Sequence, residues 1–298
     1  MKLDSIKLFS ILLLCQNCLG LLNNHVDTTM TVRNEKPSWL PSSDGSGQIA
    51  YRYLEGSSPG VLVCNGFQST MSGTKALALE QHCRERGVSF CRFDYRGHGS
   101  STGDFIEYTV SDWVRDASDM LEHVFPAENN NDRLILVGSS MGAWIGLHLA
   151  IRRPDQIVGL LGIAAAPDFL HDLYESSTPV QRRGWIDTGV VHFATKYNSD
   201  PCTYPFTWKL IQDARDNWGL MGAPFIPVCC PIRLLHGQCD DDISWKKSAA
   251  LVEKLGNDKA TLTLVKSGDH RLSRPEDIAL ILASLDDLIV LHKNSANI

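Results

Sequence analysis

The sequence predicts an α/β chain: a mostly parallel central sheet flanked by helices and interrupted once by an inserted, mainly helical cap. Three observations carry that expectation. Short apolar, β-favouring runs alternate with segments of helical periodicity. Polar loops rich in Gly, Asp and His follow several of those runs, where open α/β sheets place their sites. Between two of the runs, residues 166–230 hold Phe169, Trp185, Phe193, Tyr197, Phe206, Trp208 and Trp218 without a strand pattern, the composition of an insertion packed on a body. At 298 residues and 43% hydrophobic, the chain can bury a large core as one α/β domain or two smaller ones.

Taken in order, residues 1–25 set Lys2 and Lys7 before the apolar run Leu8-Phe9-Ser10-Ile11-Leu12-Leu13-Leu14 and are expected to be a targeting segment outside the fold. As a secretory signal the segment has a short basic region and a small residue at Gly20; as a mitochondrial presequence it lacks arginine and carries Asp4. Gln16-Asn17 interrupts the apolar stretch, so no transmembrane span is expected. Residues 26–47 are polar, with Pro37, Pro41 and a Ser/Asp/Gly cluster at 42–47, and are expected to be a linker.

The body is expected at 48–165 and 231–292, with the cap at 166–230 between its halves. Strands are predicted at 48–53, 61–64 and 88–93, and a helix at 74–86 that Gly87 would end. A helix at 113–125 leads to the central strand from Leu134. Behind it, Trp144, Leu147, His148 and Ile151 form a buried helical stripe, on which His148 is expected to be a hydrogen-bonded core histidine. Further strands are predicted at 157–166, 231–235 and 262–265, with helices at 245–255 and 275–291; the last carries Ile278, Ile281, Leu285 and Leu288 at helical spacing.

The run Leu134-Ile135-Leu136-Val137-Gly138-Ser139-Ser140-Met141-Gly142 sets Gly-x-Ser-x-Gly between a strand and a helix, the context of a nucleophile elbow, with Ser140 as candidate nucleophile. Hydrolases with this elbow run nucleophile, acid, histidine along the chain. After strand 231–235 comes His236-Gly237-Gln238-Cys239-Asp240-Asp241-Asp242, and after strand 262–265 comes Lys266-Ser267-Gly268-Asp269-His270-Arg271. His270 is the candidate general base, since an imidazole titrates near neutrality. Asp240 is the candidate acid by its His-Gly-x-x-Asp spacing, with Asp241 its main rival and a solvated charge run the bland alternative. Its carboxylate would fix the His270 tautomer. His236 is expected to make structural hydrogen bonds before a turn glycine; His171 and His192 fall in the cap and His98 on a glycine-rich loop. For an oxyanion hole, the backbone N–H groups of Met141 and Phe67 are the candidates.

Other chemistries are disfavoured. With 28 basic against 34 acidic residues there is no positive excess to neutralise phosphates, so nucleic acid is not an expected partner. Gly97, Gly99 and Gly103 are spaced one residue too long for a dinucleotide fingerprint, and no cofactor is expected. Nine cysteines, Cys229-Cys230 adjacent among them, lack a framework or zinc-ligand spacing and read as mostly reduced thiols; no metal is expected. No Asn-x-Ser/Thr sequon occurs, which favours an intracellular, reducing compartment over a glycosylated secretory product.

From about residue 48 to 292 the chain resembles the serine α/β-hydrolase superfamily. Gly66-Phe67 with Gly73-Thr74-Lys75-Ala76-Leu77-Ala78, Arg92-Phe93-Asp94-Tyr95, Val137-Gly138-Ser139-Ser140-Met141-Gly142, Cys230-Pro231-Ile232-Arg233-Leu234-Leu235-His236-Gly237 and Asp269-His270-Arg271 are similar to the mitochondrial palmitoyl-protein thioesterase and acyl-glucuronide esterase subfamily. The sequence departs from many relatives in having Ile243-Ser244 where they have Val-Pro. The resemblance implies an α/β-hydrolase fold, cleavage of acyl thioesters and esters, S-palmitoylated proteins and acyl glucuronides as substrates, and a mitochondrial location. The alternatives left open are a secretory location, a carboxylesterase, lactonase or peptidase acting on small substrates, and a non-catalytic hydrolase-fold binding protein. Oligomeric state is not legible.

Overall fold

A computed structural model of the chain describes residues 36–126, 133–197 and 203–295. The expected targeting segment and the first part of the expected linker lie outside the described residues.

Eight strands form the main sheet: β1 (Ser38–Pro41), β2 (Gln48–Leu54), β3 (Ser57–Cys64), β4 (Val88–Phe93), β5 (Leu134–Ser139), β6 (Ile157–Ile163), then β9 (Ile232–Gly237) and β10 (Ala260–Val265), in the spatial order β1-β2-β4-β3-β5-β6-β9-β10. The first two strands pair antiparallel, β2 pairs antiparallel with β4, and from β4 to β10 every neighbouring pair is parallel. All-parallel pairing requires a crossover between strands, and helices supply it.

Alternate residues of each strand feed opposite faces. In β3 and β5, Leu62, Cys64, Leu134 and Leu136 join one buried cluster with Trp113, Trp144 and Leu251 from helices α2 (Val110–Val124), α3 (Met141–Arg152) and α7 (Lys246–Lys254). Val61, Val63, Ile135 and Val137 join the other, with Ala76, Leu79, Ile281, Leu285 and Leu288 from helices α1 (Thr74–Arg86) and α8 (Pro275–Ser295). Strands buried on both faces read as continuous apolar runs, which is why 134–137 stood out in the sequence. α1 ends at Gly87, whose φ of 63° is left-handed.

Two expectations need correction. The stretch expected to be linker contributes β1, whose Leu40 pairs with Ile49; a four-residue edge strand ending in proline carries almost no periodic signal. The insertion between β6 and β9, expected to lack strands, holds a hairpin of β7 (Val190–Ala194) and β8 (Thr203–Thr207) beside helices α4 (Phe169–Ser176), α5 (Pro179–Thr188) and α6 (Trp208–Asn217). Pro205, paired with His192, masks the second strand, because proline removes a ladder donor. Buried Trp185 ties α5 to the hairpin by donating from Nε1 to Phe206 O at 2.7 Å. Among the described residues no helix is long and apolar enough to cross a membrane.

Candidate active site

Ser140 occupies the turn between β5 and α3 with φ 54° and ψ −115°, a backbone conformation that a non-glycine residue holds only under strain. Its flanks must be glycine. A Cβ on Gly138 would lie 2.4 Å from Ala143 Cα, and one on Gly142 would lie 1.9 Å from Cys64 O. The Ser140 N–H donates to Ile163 O at 2.8 Å, fastening the turn to β6.

Asp240 follows β9 and His270 follows β10, so both arrive from the carboxyl ends of parallel strands, as Ser140 does. Their loops are stitched together by Gln238 N–H donating to Val265 O and Cys239 N–H donating to Gly268 O, both at 2.9 Å. The result is a continuous chain of contacts. His270 Nε2 lies 3.1 Å from Ser140 Oγ, and His270 Nδ1 lies 2.7 Å from Asp240 Oδ2. A carboxylate only accepts, so Nδ1 carries the proton and Nε2 is left to accept from the serine hydroxyl.

The Asp240 side chain is fully buried. Burial alone would raise its pKa, but hydrogen bonds from His236 and His270, attraction to His270 and the Ile243 N–H together outweigh burial and hold it well below the usual carboxylate range. Oδ1 accepts from the Asp242 and Ile243 N–H groups at 2.9 and 2.8 Å. Asp241 is turned away: its exposed carboxylate lies 3.5 Å from Lys196 Nζ. Asp242 accepts from the Tyr197 hydroxyl, and the Tyr197 ring carries Arg271 at 4.4 Å.

Asp240, Asp242 and His270 bring three metal-competent atoms within 4.8 Å of one another. Both Asp240 oxygens are already taken by N–H donors, from His236 and His270 on Oδ2 and from two backbone groups on Oδ1, leaving little lone-pair capacity for a cation.

Phe67 lies in the loop after β3. That loop passes close to the elbow, since a Cβ on the adjoining Gly66 would stand 3.2 Å from Ser139 O and 3.5 Å from Ser140 Cβ. The Phe67 ring stacks on Phe206 at 4.9 Å and meets Phe105, Trp113, Phe169 and Tyr204 edge-on, joining body and insertion. Met141 opens α3, where a first-turn N–H has no intrahelical partner.

Four other histidines among the described residues have different surroundings. His148 donates from Nε2 to Trp218 O at 3.0 Å, as a core histidine should. Buried His98 sits among the rings of Tyr95, Phe105 and Trp113, and His192 lies on β7. His171 lies on α4 in the insertion. His236, expected to make structural hydrogen bonds, makes them with Ser248 Oγ and Ile243 O, and its Nε2 also lies 3.0 Å from Asp240 Oδ2. The signal was present as the four-residue spacing between them, but it is meaningful only once the turn at Gly237 is known.

The serine aminopeptidase (S33) family profile matches residues 58–277. The chain is 38% identical over 242 residues to the palmitoyl-protein thioesterase ABHD10, mitochondrial, of Mus musculus, covering 81% of this chain and 78% of that protein. It is 36% identical over 265 residues to the Homo sapiens protein of the same name, covering 85% and 84%. Among solved structures, the alpha/beta hydrolase domain-containing protein 10 from mouse superposes with a TM-score of 0.77 at 35% identity, covering 86% of this chain and 98% of that one. A putative hydrolase from Agrobacterium vitis S4 superposes with a TM-score of 0.79 at 35% identity, covering 85% and 98%.

Proposed function

The chain belongs to the serine aminopeptidase (S33) family of α/β-hydrolases, with the ABHD10 proteins among its relatives, and from that membership we propose that it is a serine hydrolase cleaving acyl thioesters and esters through an acyl-enzyme. The observation that carries the reading is the hydrogen-bond chain from Ser140 Oγ to His270 at 3.1 Å and from His270 to Asp240 at 2.7 Å. In it, His270 takes the Ser140 proton as Oγ attacks the acyl carbon, then returns that proton to the leaving thiolate or alkoxide. Water, deprotonated by the same imidazole, releases the acid. Asp240 stabilises the transient imidazolium, and the Phe67 and Met141 N–H groups receive the negative charge on the acyl oxygen. No metal or cofactor enters the scheme.

The relatives named palmitoyl-protein thioesterase suggest S-palmitoylated proteins as substrates, and their naming as mitochondrial suggests that compartment. The aromatic cluster around Phe67 offers an apolar wall for an acyl chain. Acyl-glucuronide hydrolysis is the second substrate class in the reading, since it needs the same attack on an acyl ester. We take residues 48–165 and 231–292 as the catalytic body and 166–230 as a cap.

Rates of Ser140→Ala and the parent protein on acylthio substrates from acetyl to palmitoyl, on acyl glucuronides and on aminoacyl amides test the proposal, together with fluorophosphonate labelling. The expected result is hydrolysis rising with acyl length and abolished, with labelling, by Ser140→Ala. Activity retained in Ser140→Ala overturns the mechanism. A profile peaking at acetyl or at aminoacyl amides overturns the substrate assignment in favour of a small-ester hydrolase or peptidase.

A further inference from the structure

We infer that His236 is a positioning residue for the Asp240 carboxylate, a role that rests on the Ser140, His270, Asp240 reading above. His236 sits in β9, wholly buried, on the strand that leads into the acid loop and one hydrogen bond from the proposed acid. Its Nε2 lies 3.0 Å from Asp240 Oδ2 and 3.0 Å from Ile243 O. Both neighbours are acceptors when Asp240 is ionised, so Nε2 carries the proton. Nδ1 then accepts from the hydroxyl of Ser248, 2.7 Å away on α7 and itself fully buried. The two acceptors on Nε2 thus set the tautomer of His236, as Asp240 sets that of His270, and the Ser248 hydroxyl anchors the ring from its other side.

Two imidazoles thus meet on one oxygen. His270 Nδ1 reaches Asp240 Oδ2 at 2.7 Å from one side and His236 Nε2 reaches it at 3.0 Å from another, while Oδ1 is pinned by two backbone N–H groups. The carboxylate cannot rotate without breaking several charge-assisted bonds, so His270 always finds it in place. Sharing Oδ2 also divides its charge. A donor on the same oxygen takes up part of the negative charge that Asp240 offers to His270 Nδ1. The other titratable groups around the histidine loop are Asp242 on the acid loop, Asp269 and Arg271 beside His270, Lys75 on α1, and Lys196 and Tyr197 of the insertion. His236 bonds to Ser248, Asp240 and Ile243, so substituting it leaves those groups in place.

The test compares His236→Met, which fills a similar volume without a donor, with His236→Gln, which keeps an N–H donor at the end of the side chain, and with Ser248→Ala, which removes the bond that anchors the ring at Nδ1. The full-length proteins are assayed on a p-nitrophenyl ester across pH, with active sites counted by fluorophosphonate titration and folding followed by circular dichroism. His236→Met is expected to lower kcat per active site by about tenfold to a hundredfold with KM unchanged, and to move the acid limb of kcat/KM up by about half a pH unit to one unit. His236→Gln is expected to restore most of both effects, and Ser248→Ala to show a smaller change in the same direction. An acid limb and kcat per site equal to the parent's in folded His236→Met overturn the inference. Should that variant fail to fold, an unmoved limb in Ser248→Ala overturns it and a moved limb supports it. Ser140→Ala, run in parallel, separates the two readings: if it stays active the mechanism itself falls, whereas an inactive Ser140→Ala beside a parent-like His236→Met removes only the positioning role.

Discussion

Gly237 and Gly268 run so close that a Cβ on the first would lie 2.2 Å from the carbonyl oxygen of the second. That contact holds the loops of Asp240 and His270 at backbone distance. Gly237→Ala is therefore expected to force the loops apart and lengthen the 2.7 Å bond between Asp240 and His270, reducing kcat/KM about a hundredfold while costing about 1–3 kcal/mol in stability. Kinetics on the folded variant, with active-site titration, check this; a loss explained wholly by unfolded protein would contradict it.

The strained elbow separates stability from activity. At φ 54°, Ser140 holds a conformation costing about 1–3 kcal/mol, which glycine adopts freely. Ser140→Gly is expected to abolish hydrolysis and raise the melting temperature by about 2–4 °C, whereas Ser140→Ala abolishes hydrolysis with no such gain. Paired thermal melts decide, and equal melting temperatures for the two variants would refute the strain argument.

Acid is expected to destabilise the chain through its buried histidines while its exposed carboxylates are still ionised. Burial pushes His148 down to about 4, from an ordinary value of 6.5, against the opposing hydrogen bond to Trp218 O. With the folded value below the unfolded one, the unfolded chain binds the extra proton, so the neutral histidine's contribution is fully present above pH 6.5 and is lost progressively between 6.5 and 4. His148→Phe should lessen the fall in melting temperature across that window, the remainder coming from His98, which burial also pushes down to about 4; Trp218 O keeps the Trp144 Nε1–H as donor at 3.0 Å. An unchanged pH slope in the variant would count against the assignment.

Arg96 is wholly buried, as is its partner Asp116, which receives its Nε–H at 2.7 Å and its backbone N–H at 2.9 Å. Removing one member of such a pair strands the other in a medium that cannot solvate it. Asp116→Leu is expected to cost about 3–5 kcal/mol, read as a lower urea midpoint, and Asp44 and Asp112, the other carboxylates beside Arg96 at 2.8 and 4.0 Å, are too exposed to compensate fully. A midpoint shift below about 1 kcal/mol would show that these two suffice.

What the sequence disclosed followed from where its signals are local. The run 134–142 combines a doubly buried strand with two sterically required glycines, so Ser140 could be read from nine consecutive residues. Chain order nominates Asp240 and His270, because each follows an apolar strand, and the structure places them in one hydrogen-bond chain with Ser140. The choice of Asp240 over Asp241 depended on a spacing whose physical content is the turn at Gly237. The missed features are non-local or weakly patterned. The β7–β8 hairpin hides behind Pro205, β1 is only four residues long, and the contact between His236 and Asp240 depends on the packing of Ser248 from a later helix.

The proposed nucleophile, base, acid and the histidine bracing the acid all hang from β5, β9 and β10, while the insertion reaches this machinery through rim contacts such as Tyr197 on Asp242 and Arg271 and through rings packed on Phe67. On the proposed assignment, exchanging residues 166–230 between relatives would leave Ser140, His270, Asp240 and His236 seated on the strands of the body, while reshaping the rings against Phe67 and, through them, the loop that carries a proposed oxyanion donor.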